Sequence, residues 1–352
     1  MPHHFKHCPE FPLVEVSAPC RIDMGGTLDI NTFYFPLRYL DPCTANIAIE
    51  LRTRVRLFPY RSGVVKVSSK GFEAAEYSLR DAPFNHPLGL MFAIAAYFRV
   101  DGVHIAIESS SPPRSALGGS SAAAVALVAA FSKVLEKREN MPPLSRRKIA
   151  MLAHDLEGSV AGVPCGLQDQ LAASYGGAHA WYWQRRFGES SFRKETLVGK
   201  PSYRELEEHL LLAYCGIPHE SKNINGRWVQ QFISGQNRER WVEIVRCTKN
   251  FVRALKAGNY KEARGFMTRE VAVRREMTPD VLDEMGEKLV DSALENKCGA
   301  RFTGAGGGGC IWAMGETADI GRLKNAWINV LSGRKEACLL DVKIDGGGLK
   351  IS

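Results

Sequence analysis

Hydrophobic and polar residues alternate along the first part of the chain in a pattern that is typical of β-strands. The clearest run is IAIELRTRVRLF, within residues 45–58, where nearly every second residue is apolar, as in a half-buried strand. The same signal recurs at residues 14–16, 64–69 and 101–110. Apolar residues at helical spacing predict helices over residues 87–98, 119–137 and 145–157. Ser145 is the expected N-cap of the last of these helices.

The second part of the chain mixes the two patterns. A polar connection at residues 203–208 precedes the predicted strand LLLAYCG, helices rich in charge, and a helix predicted over residues 281–297. Closing strands are predicted in ACLLDVKIDGGGLKIS. Because strands and helices mix without a regular βαβα order, we predict an α+β protein rather than one doubly wound sheet. We predict two domains, residues 1–200 and 201–352, with the boundary near residues 203–208.

Composition and charge narrow the class of protein. The 352 residues carry a net charge of +8, but Lys and Arg are spread among Asp and Glu, so we expect an anionic small substrate and no nucleic acid. The longest apolar run, residues 122–131, is too short to cross a bilayer, so we expect no membrane partner. Nine scattered cysteines without a C-x-x-C pair, and an amino terminus without an apolar core, predict reduced thiols and a cytoplasmic location.

A first glycine-rich stretch, SSPPRSALGGSSAAAVALVAAF from residue 110, connects a predicted strand directly to the long predicted helix. Gly118 and Gly119 would let backbone N–H groups turn inward, and Ser120 and Ser121 stand at the start of the helix. Unpaired N–H groups and the helix dipole favour an anion such as phosphate there. This is not a Walker loop, because no Lys follows the glycines. The alternative is a serine cap on a glycine turn.

A second glycine-rich stretch, RFTGAGGGGC, occupies residues 301–310. Its spacing matches a dinucleotide fingerprint, but such a fingerprint follows a strand and opens a helix. Here a predicted helix comes first and the predicted strand CIWAM follows, so the glycines join two short strands. Glycine costs backbone entropy in an ordered segment. The stretch is therefore either a plain turn or a backbone that must come very close to another group.

Two acidic residues are candidates for catalysis. Glu157 follows an apolar helical stripe, and Asp169 lies in GLQDQLAASYGG, where small residues follow it as if its carboxylate entered a crowded pocket. One carboxylate would hold a metal ion, and the other would accept a proton from an attacking hydroxyl. The alternative is a pair of ordinary surface acids.

The stretch APCRIDMGGTLDI places Arg21, Asp23 and Asp29 around the turn of Gly25 and Gly26. An arginine beside a site aspartate keeps that acid ionised. The alternative is an exposed turn with an ion pair of little energetic value.

Taken together, these four stretches resemble the GHMP kinase superfamily, which includes galactokinase, homoserine kinase, mevalonate kinase and phosphomevalonate kinase. The family's phosphate loop, P-x-x-x-G-L-x-S-S-A, is similar to PPRSALGGSSAA, its C-terminal glycine motif to GAGGGG, and its opening A-P-x-R motif to APCR. Within the family, GLQDQLAASYGG and VKIDGGGLKIS look most like bacterial heptose-phosphate kinases. The resemblance implies an N-terminal ATP-binding domain and a C-terminal ferredoxin-like α/β sandwich domain.

The resemblance also implies a kinase that uses ATP and Mg²⁺ and transfers the γ-phosphoryl group to a hydroxyl. Asp169 matches the catalytic aspartate, and Arg21 matches the basic residue that orients and ionises it. Ser121 and Glu157 match the Mg²⁺ ligands. The residues expected at the ATP phosphates are Pro113, Leu117, Gly118, Gly119, Ser120, Ser121, Ala122, Gly304, Ala305, Gly306 and Gly307. The second glycine stretch would then press its backbone against the phosphate loop.

The implied substrate is a sugar or sugar phosphate, and the net charge of +8 favours a heptose phosphate. Asp29, Gly25 and Gly26 would contact the sugar. Lys222 and Arg227, in GIPHESKNINGR, would bind its phosphate, with a solvated loop as the alternative. A galactokinase-, fucokinase- or mevalonate-kinase-like substrate, and a non-catalytic sensor of sugar and ATP, remain alternatives. A homodimer is compatible with the sequence.

Three features depart from the family pattern. Ala116 stands where glycine is usual in the phosphate loop, and Arg114 is unusual there. One residue fewer separates Arg21 from Asp29 than in galactokinases or heptose kinases, which bears on whether Asp29 reaches the substrate.

Overall fold

Twelve strands form two sheets in the part of the chain that the computed structural model describes, which is residues 13–162, 164–183, 192–218 and 221–352 without the side chains of residues 221–223. In chain order the strands are β1 (Val14–Gly25), β2 (Cys43–Pro59), β3 (Val64–Ser69), β4 (Ala75–Ser78), β5 (Val103–Ser109), β6 (Ala178–Trp183), β7 (Phe192–Val198), β8 (Leu210–Tyr214), β9 (Gly299–Phe302), β10 (Cys310–Met314), β11 (Cys338–Leu340) and β12 (Lys350–Ile351).

Helices cover both sheets. In chain order they are α1 (Asn31–Tyr34), α2 (Gly89–Phe98), α3 (Gly119–Glu139), α4 (Arg146–Ala161), α5 (Gln168–Tyr175), α6 (Tyr203–Glu208), α7 (Ser221–Ile233), α8 (Arg238–Lys256), α9 (Tyr260–Met277), α10 (Glu284–Glu295) and α11 (Thr317–Leu331). Three 3-10 turns lie at Arg38–Leu40, Lys200–Ser202 and Pro279–Val281.

The first sheet has eight strands in the order β12-β1-β2-β5-β3-β4, with β6 paired to β2 and β7 paired to β6. Its centre is the long pair of β1 and β2, and nearly every side chain of β1 is buried. Helix α3 packs against both of these strands. The alanines of AAAVALVAA let its backbone approach the sheet closely, so this helix fills the core and leads directly from the first glycine stretch.

The second sheet has four antiparallel strands in the order β11-β8-β10-β9. Helices α7 to α10 lie between β8 and β9 in the chain, and α11 lies between β10 and β11. This is a β-α-β-β-α-β ferredoxin-like arrangement. It confirms the predicted α+β class and the predicted ferredoxin-like C-terminal unit.

Several element boundaries differ from the prediction. Residues 203–208 form helix α6 rather than a polar connection, because the single apolar residue Leu206 is buried and anchors an otherwise charged turn. The helix predicted over residues 281–297 begins only at Glu284, since the Asp283 side chain caps it by accepting from Gly286 N. Ser145 does cap α4, by accepting from Lys148 N, but α4 continues past Glu157 to Ala161.

The closing residues return to the first sheet. Strand β12 pairs with β1, and Arg52 on β2 donates to the carbonyls of Ser17 and Gly348, both at 2.8 Å. The last residues of the chain therefore pair with a strand of the first sheet, whereas the predicted division assigns all of residues 201–352 to the second domain. The boundary near residue 200 itself stays a prediction.

One helix of the described residues, α3, is long and apolar enough to cross a membrane by length and composition. Most of its apolar side chains are buried between the first sheet and the neighbouring helices, which identifies it as a core helix. The eight cysteines within the described residues are free thiols, as the sequence predicts.

Gly348 should be essential for the return of the chain to the first sheet. Its φ is +66°, and an added Cβ would lie 2.5 Å from the carbonyl carbon of Tyr175. We expect Gly348→Ala to lower the free energy of unfolding in urea by about 3 kcal/mol, from strain plus steric clash. The control is Gly258→Ala, which has a φ of +67° and open space around it. This variant should lose about 1 kcal/mol from strain alone. Equal losses in the two variants would contradict the close contact.

Candidate active site

The phosphate loop, residues 112–119, ends where α3 begins. The N-cap of α3 is Gly118, with a φ of 74° and no side-chain cap. Ser121 does not cap the helix, because its Oγ donates instead to Glu157 Oε2 at 2.8 Å. The plain serine-cap alternative is therefore excluded, and the first turn of α3 lines a cavity.

Ala116 and Arg114 both take the left-handed backbone conformation in this loop, with φ values of 61° and 53°. Glycine adopts this conformation at no steric cost, whereas a residue with a Cβ loses about 1–2 kcal/mol. The departure of Ala116 from the family's glycine therefore leaves the turn in place, with strain stored in the loop.

A bidentate ion pair joins Arg21, on β1, to Asp169, in the first turn of α5. Arg21 Nε donates to Asp169 Oδ1 at 2.8 Å, and Nη2 donates to Oδ2 at 2.9 Å. Arg21 Nη1 also donates to the Ala116 carbonyl, and Arg21 N donates to the Leu117 carbonyl at 2.9 Å. One guanidinium thus connects the first sheet, the phosphate loop and α5.

The environment of this pair is not that of a surface ion pair. The side chains of Arg21 and Asp169 are 6% and 21% exposed. Burial lowers the pKa of Arg21, but the charges of Asp169 and Asp23 outweigh it and leave the pKa above its ordinary value. Arg21 is therefore a permanent cation that keeps Asp169 in a fixed orientation.

Glu157 faces the phosphate loop from α4. Its Oε2 accepts from Ser121 Oγ and from Gln170 Nε2, the latter at 2.6 Å. Burial raises the pKa of Glu157, and these hydrogen bonds oppose that shift. The Glu157 carboxylate and the Ser121 hydroxyl are hard oxygen donors, the type that Mg²⁺ prefers. Their position at the start of α3 fits a cation beside bound phosphates.

Two cavities meet at these residues. The outer cavity, about 340 Å³, has an apolar end and an end formed by the phosphate loop. The inner cavity, about 110 Å³, reaches towards Asp29 and Gln168. Both are lined by Arg21, Ser121, Glu157, Asp169 and Gly304. A ligand in one cavity would therefore touch a ligand in the other at Asp169.

Asp29 lies on the wall of the inner cavity, despite the shorter spacing of the opening motif. Its Oδ2 accepts from Gln168 N at 3.1 Å, and its Oδ1 accepts from Gln168 Nε2 at 3.3 Å. Burial raises the pKa of Asp29 to about 7, and the charges of Asp169 and Asp23 add to the shift. Gly166 is required here, because a Cβ would overlap the Asp29 carboxylate.

A buried ionic network supports the inner cavity from the second half of the chain. Arg301 Nε donates to Glu270 Oε2 at 2.6 Å, and Arg301 Nη2 donates to Thr27 Oγ1 at 2.9 Å. Asp23, fully buried, accepts from Thr27 Oγ1 at 2.7 Å and lies 3.6 Å from Arg301. Burial raises the pKa of Glu270, but Arg301 and Arg274 outweigh it and hold the pKa below its ordinary value.

The second glycine stretch meets the phosphate loop at two glycines: Gly304, which is in the predicted set and near the Ala116 carbonyl, and Gly309, which is outside that set. A Cβ on Gly309 would lie 2.9 Å from Ala116 Cβ and 2.8 Å from the Ser115 carbonyl oxygen. Gly304 lies near Arg21, and Gly304 and Ala305 line the outer cavity. The predicted alternative of a plain turn is therefore excluded for this stretch.

Several residues predicted at the ATP phosphates or the sugar lie elsewhere. Gly306 and Gly307 contact Val281 rather than the phosphate loop: a Cβ on Gly306 would lie 2.4 Å from the Val281 carbonyl oxygen, to which Gly307 N donates at 2.8 Å. Ala122 lies in the first turn of α3, and its side chain is buried in the core. None of these three residues lines the outer cavity, and a motif match does not say which residue faces the ligand. Pro113, Leu117, Gly118, Gly119, Ser120 and Ser121 line the outer cavity, and their contact with the ATP phosphates stays a prediction.

Gly25 and Gly26 do not face the inner cavity either. A Cβ added to Gly25 would contact Glu270 and Thr248, and a Cβ added to Gly26 would collide with the Cys43 carbonyl. Both glycines therefore serve the packing of the two halves. Arg227 forms an exposed ion pair with Asp280, at 2.8 Å, instead of lying open on a cavity wall. The side chain of Lys222 lies outside the described residues.

No local pattern in the sequence indicated a role for Gln168 or Gln170, or for the network of Arg301, Glu270 and Arg274. Both glutamines flank Asp169, but glutamine is not a typical catalytic residue. Arg301 is 278 residues from Asp23 in the chain, so no local spacing connects them. A charged residue inside the short buried strand GARF was the one available hint.

Two family models match parts of the chain that contain site residues. The GHMP kinases N terminal domain matches residues 85–177, and the GHMP kinases C terminal domain matches residues 251–333. The first match contains the phosphate loop, Glu157 and Asp169, and the second contains the network and the second glycine stretch. The chain therefore belongs to the GHMP kinase superfamily. It is a small-molecule kinase, a phosphotransferase that uses ATP and an alcohol acceptor.

Relatives of known name are distant but extend over most of the chain. A mevalonate kinase from Pyrococcus horikoshii is 24% identical, covering 86% of this chain and 88% of that protein. A D-glycero-alpha-D-manno-heptose 7-phosphate kinase from Campylobacter jejuni is also 24% identical, covering 85% and 88%. Among solved structures, Lactococcus lactis galactokinase complexed with galactose superposes with a TM-score of 0.72 at 17% identity, covering 96% of this chain and 95% of that one.

The raised pKa of Asp29 predicts a pH-dependent stability. An acid whose pKa is higher in the folded than in the unfolded chain stabilises the fold below its unfolded pKa, and this contribution is lost as pH rises to the folded value. For Asp29 that window runs from 3.8 to about 7. We expect Asp29→Asn, relative to the wild type, to gain at least about 1 kcal/mol of unfolding free energy between pH 5 and pH 8.

Urea unfolding at several pH values measures this gain. Asp291→Asn, an exposed aspartate on α10, is the control and should follow the wild type. If the unfolding free energies of Asp29→Asn and the wild type changed in parallel with pH, Asp29 would not be buried as described.

Proposed function

We propose that this kinase phosphorylates a hydroxyl of a sugar or sugar phosphate, with a heptose phosphate favoured, in the cytoplasm. The observation that carries this proposal is the chemistry of the inner cavity. Asp29, Asp169 and Glu157 bring three carboxyl groups to its wall. Arg21 is the one cation on that wall among the described residues, and it is already paired with Asp169.

Such a wall suits a ligand that donates many hydrogen bonds. The carboxyl groups accept hydrogen bonds, and Asp29, whose pKa is about 7, can also donate one when it is protonated. Sugar hydroxyls both donate and accept hydrogen bonds, so they suit such a wall. Gln168 adds a further acceptor, because its Nε2 is used by Asp29 and Asp23 while its buried Oε1 has no partner within the described part of the chain. A buried acceptor without a partner costs free energy until a ligand supplies a donor.

The same wall argues against mevalonate, although mevalonate kinases are frequent among the named relatives. Mevalonate carries a carboxylate. In the inner cavity this anion would face three acidic side chains, with Arg21 already paired to Asp169, so that only a Mg²⁺ ion held by Ser121 and Glu157 would be there to pair with it. A mevalonate-like substrate remains the second candidate because of those relatives.

The geometry supports a direct proton transfer. A hydroxyl in the inner cavity would give its proton to Asp169, which Arg21 keeps in position, while its oxygen faces the outer cavity. Backbone N–H groups at the start of α3 would bind the ATP phosphates, and the apolar end of the outer cavity would take the adenine. A Mg²⁺ ion held by Ser121 and Glu157 would neutralise charge on the phosphates.

A substrate phosphate would have to lie outside the inner cavity. Lys222 and Arg227 stay the proposed partners for it. Arg227 would exchange Asp280 for the phosphate, and such an exchange costs little because exposed ion pairs are weak. A sugar phosphate should then exceed its free sugar in kcat/KM by about tenfold or more, as one charge-assisted contact would give.

A turnover screen tests this proposal. ADP release would be measured with Mg·ATP and, separately, heptose 7-phosphate, heptose, galactose, fucose and mevalonate. We expect a sugar or sugar phosphate to give the highest kcat/KM. If mevalonate had the highest kcat/KM, the proposed match between the inner cavity and a sugar would be wrong. If a free sugar had the same kcat/KM as its phosphate, the proposed phosphate contact would be wrong.

Asp169→Asn should remove the proton acceptor while keeping the shape of the site. We expect kcat to fall by roughly a hundredfold or more, with the Kd of Mg·ATP nearly unchanged. Asp291→Asn serves as the control. Turnover close to the wild type in Asp169→Asn would end the assignment of Asp169 as the base.

Glu157→Gln should act on the metal. A neutral amide is a poor ligand for a hard cation, so the Mg²⁺ concentration for half-maximal activity should rise about tenfold, while KM for the acceptor changes little. Glu284→Gln, on the exposed face of α10, is the control. An unchanged Mg²⁺ titration would contradict the proposed role of Glu157.

A further inference from the structure

Two basic side chains, Lys70 and Arg114, lie on the wall of the outer cavity. Lys70 follows β3, in the turn that leads to Phe72, and Arg114 is in the phosphate loop.

The turn after β3 and the phosphate loop are in direct contact. Gly71 has a φ of +86°, and an added Cβ would lie 2.9 Å from Pro113 Cγ. Lys70 precedes this glycine and Arg114 follows this proline, so the contact brings together the two segments that carry the basic residues, both of which line the outer cavity.

Neither base is neutralised within the part of the chain that the structure describes. Both side chains are exposed, and neither forms an ion pair with an Asp or Glu there. Of the acids on the cavity wall, Asp169 is paired with Arg21, and Glu157 accepts from Ser121 and Gln170. Lys70 and Arg114 are therefore the free positive charges of this cavity.

The backbone at Arg114 adds a second observation. Its φ of 53° is unfavourable for a residue with a Cβ, so the loop holds it in a defined turn. The preceding residues, Pro112 and Pro113, restrict the loop further because each fixes its own φ. Arg114 is thus presented by a rigid segment.

We propose that Lys70 and Arg114 form a basic clamp that pairs with the diphosphate portion of the nucleotide. The polyphosphate of ATP carries several negative charges, and the start of α3 offers it dipoles but no free cation, since Arg21 is committed to Asp169. The clamp supplies positive side-chain charge on the wall of the same cavity. It remains in contact with ADP after transfer, so it acts on both nucleotides and not on the nucleoside.

Competition with a fluorescent ADP analogue tests the clamp by giving the Kd values of Mg·ADP and adenosine. We expect Lys70→Gln and Arg114→Gln each to raise the Kd of Mg·ADP by about five- to tenfold, and the double variant by about thirtyfold or more. The Kd of adenosine should stay within about twofold, because adenosine has no phosphate to lose. Arg114→Lys keeps the charge and should restore most of the affinity.

Two variants control for backbone and surface charge. Arg99→Gln removes another exposed arginine with a positive φ, 52°, at the end of α2, and Lys66→Gln removes a lysine on β3. Both should bind Mg·ADP like the wild type. Raising the salt concentration should weaken Mg·ADP binding more in the wild type than in the double variant, because screening acts on the clamp's charges.

Three results would overturn the clamp. The first is an unchanged Kd of Mg·ADP in the double variant. The second is an equal loss of affinity for Mg·ADP and adenosine, which would indicate a distorted cavity. The third is no binding of Mg·ADP to the wild type at all, which would also contradict nucleotide use. Only the third outcome bears on the kinase activity, so failure of the clamp is distinguishable from failure of the proposed function.

Discussion

The buried ion pair of Arg21 and Asp169 is the interaction on which the arrangement of the site depends. One guanidinium reaches α5 through Asp169 and the phosphate loop through the Ala116 carbonyl, while its own backbone belongs to β1. Three segments that are far apart in sequence are thereby fixed around one group. Loss of either partner would leave a buried charge uncompensated, at a cost of about 3–5 kcal/mol. The base and the phosphate-binding backbone therefore keep a constant relation.

A second constraint joins the two halves of the chain behind this pair. Arg301 and Glu270, from β9 and α9, reach Asp23 and Thr27 in the opening turn. Gly309 meanwhile brings the second glycine stretch against the phosphate loop, where no side chain would fit. The inner cavity is lined by residues of the first half together with Gly304 from the second. Its acidic wall and its supporting cations are thus separated, with the acids facing the cavity and Arg301 and Arg274 held behind them.

Much of this was predictable from the sequence because the chemistry is carried by local motifs. The phosphate loop follows a strand and opens a helix, and Arg21, Glu157 and Asp169 are found together, as the resemblance implied. The glycines were predicted as a group but not individually: Gly309 meets the loop, while Gly306 meets Val281. A run of glycines indicates that there is no room for side chains, but it does not identify the neighbouring residues that take up the space.

The remaining features depend on contacts between distant residues. Gln168 links Asp23 to Asp29 only once α5 is placed against β1, and Arg301 needs the second sheet beside the first. The return of β12 to β1 depends on Arg52 and on Gly348, which leave no periodic signal. Leu206 shows the opposite case, where one buried residue makes a helix of a segment whose composition is typical of a connection.

The central claim is that a hydroxyl in the inner cavity receives a phosphoryl group from ATP in the outer cavity. Phosphorus NMR of a reaction with Mg·ATP and the preferred acceptor tests it most directly. We expect ADP and a new phosphate monoester to form in equal amounts, with the phosphorus coupled to a proton on the acceptor carbon. Inorganic phosphate as the only product beside ADP would contradict it, because the acceptor would then be water rather than a hydroxyl held by Asp169.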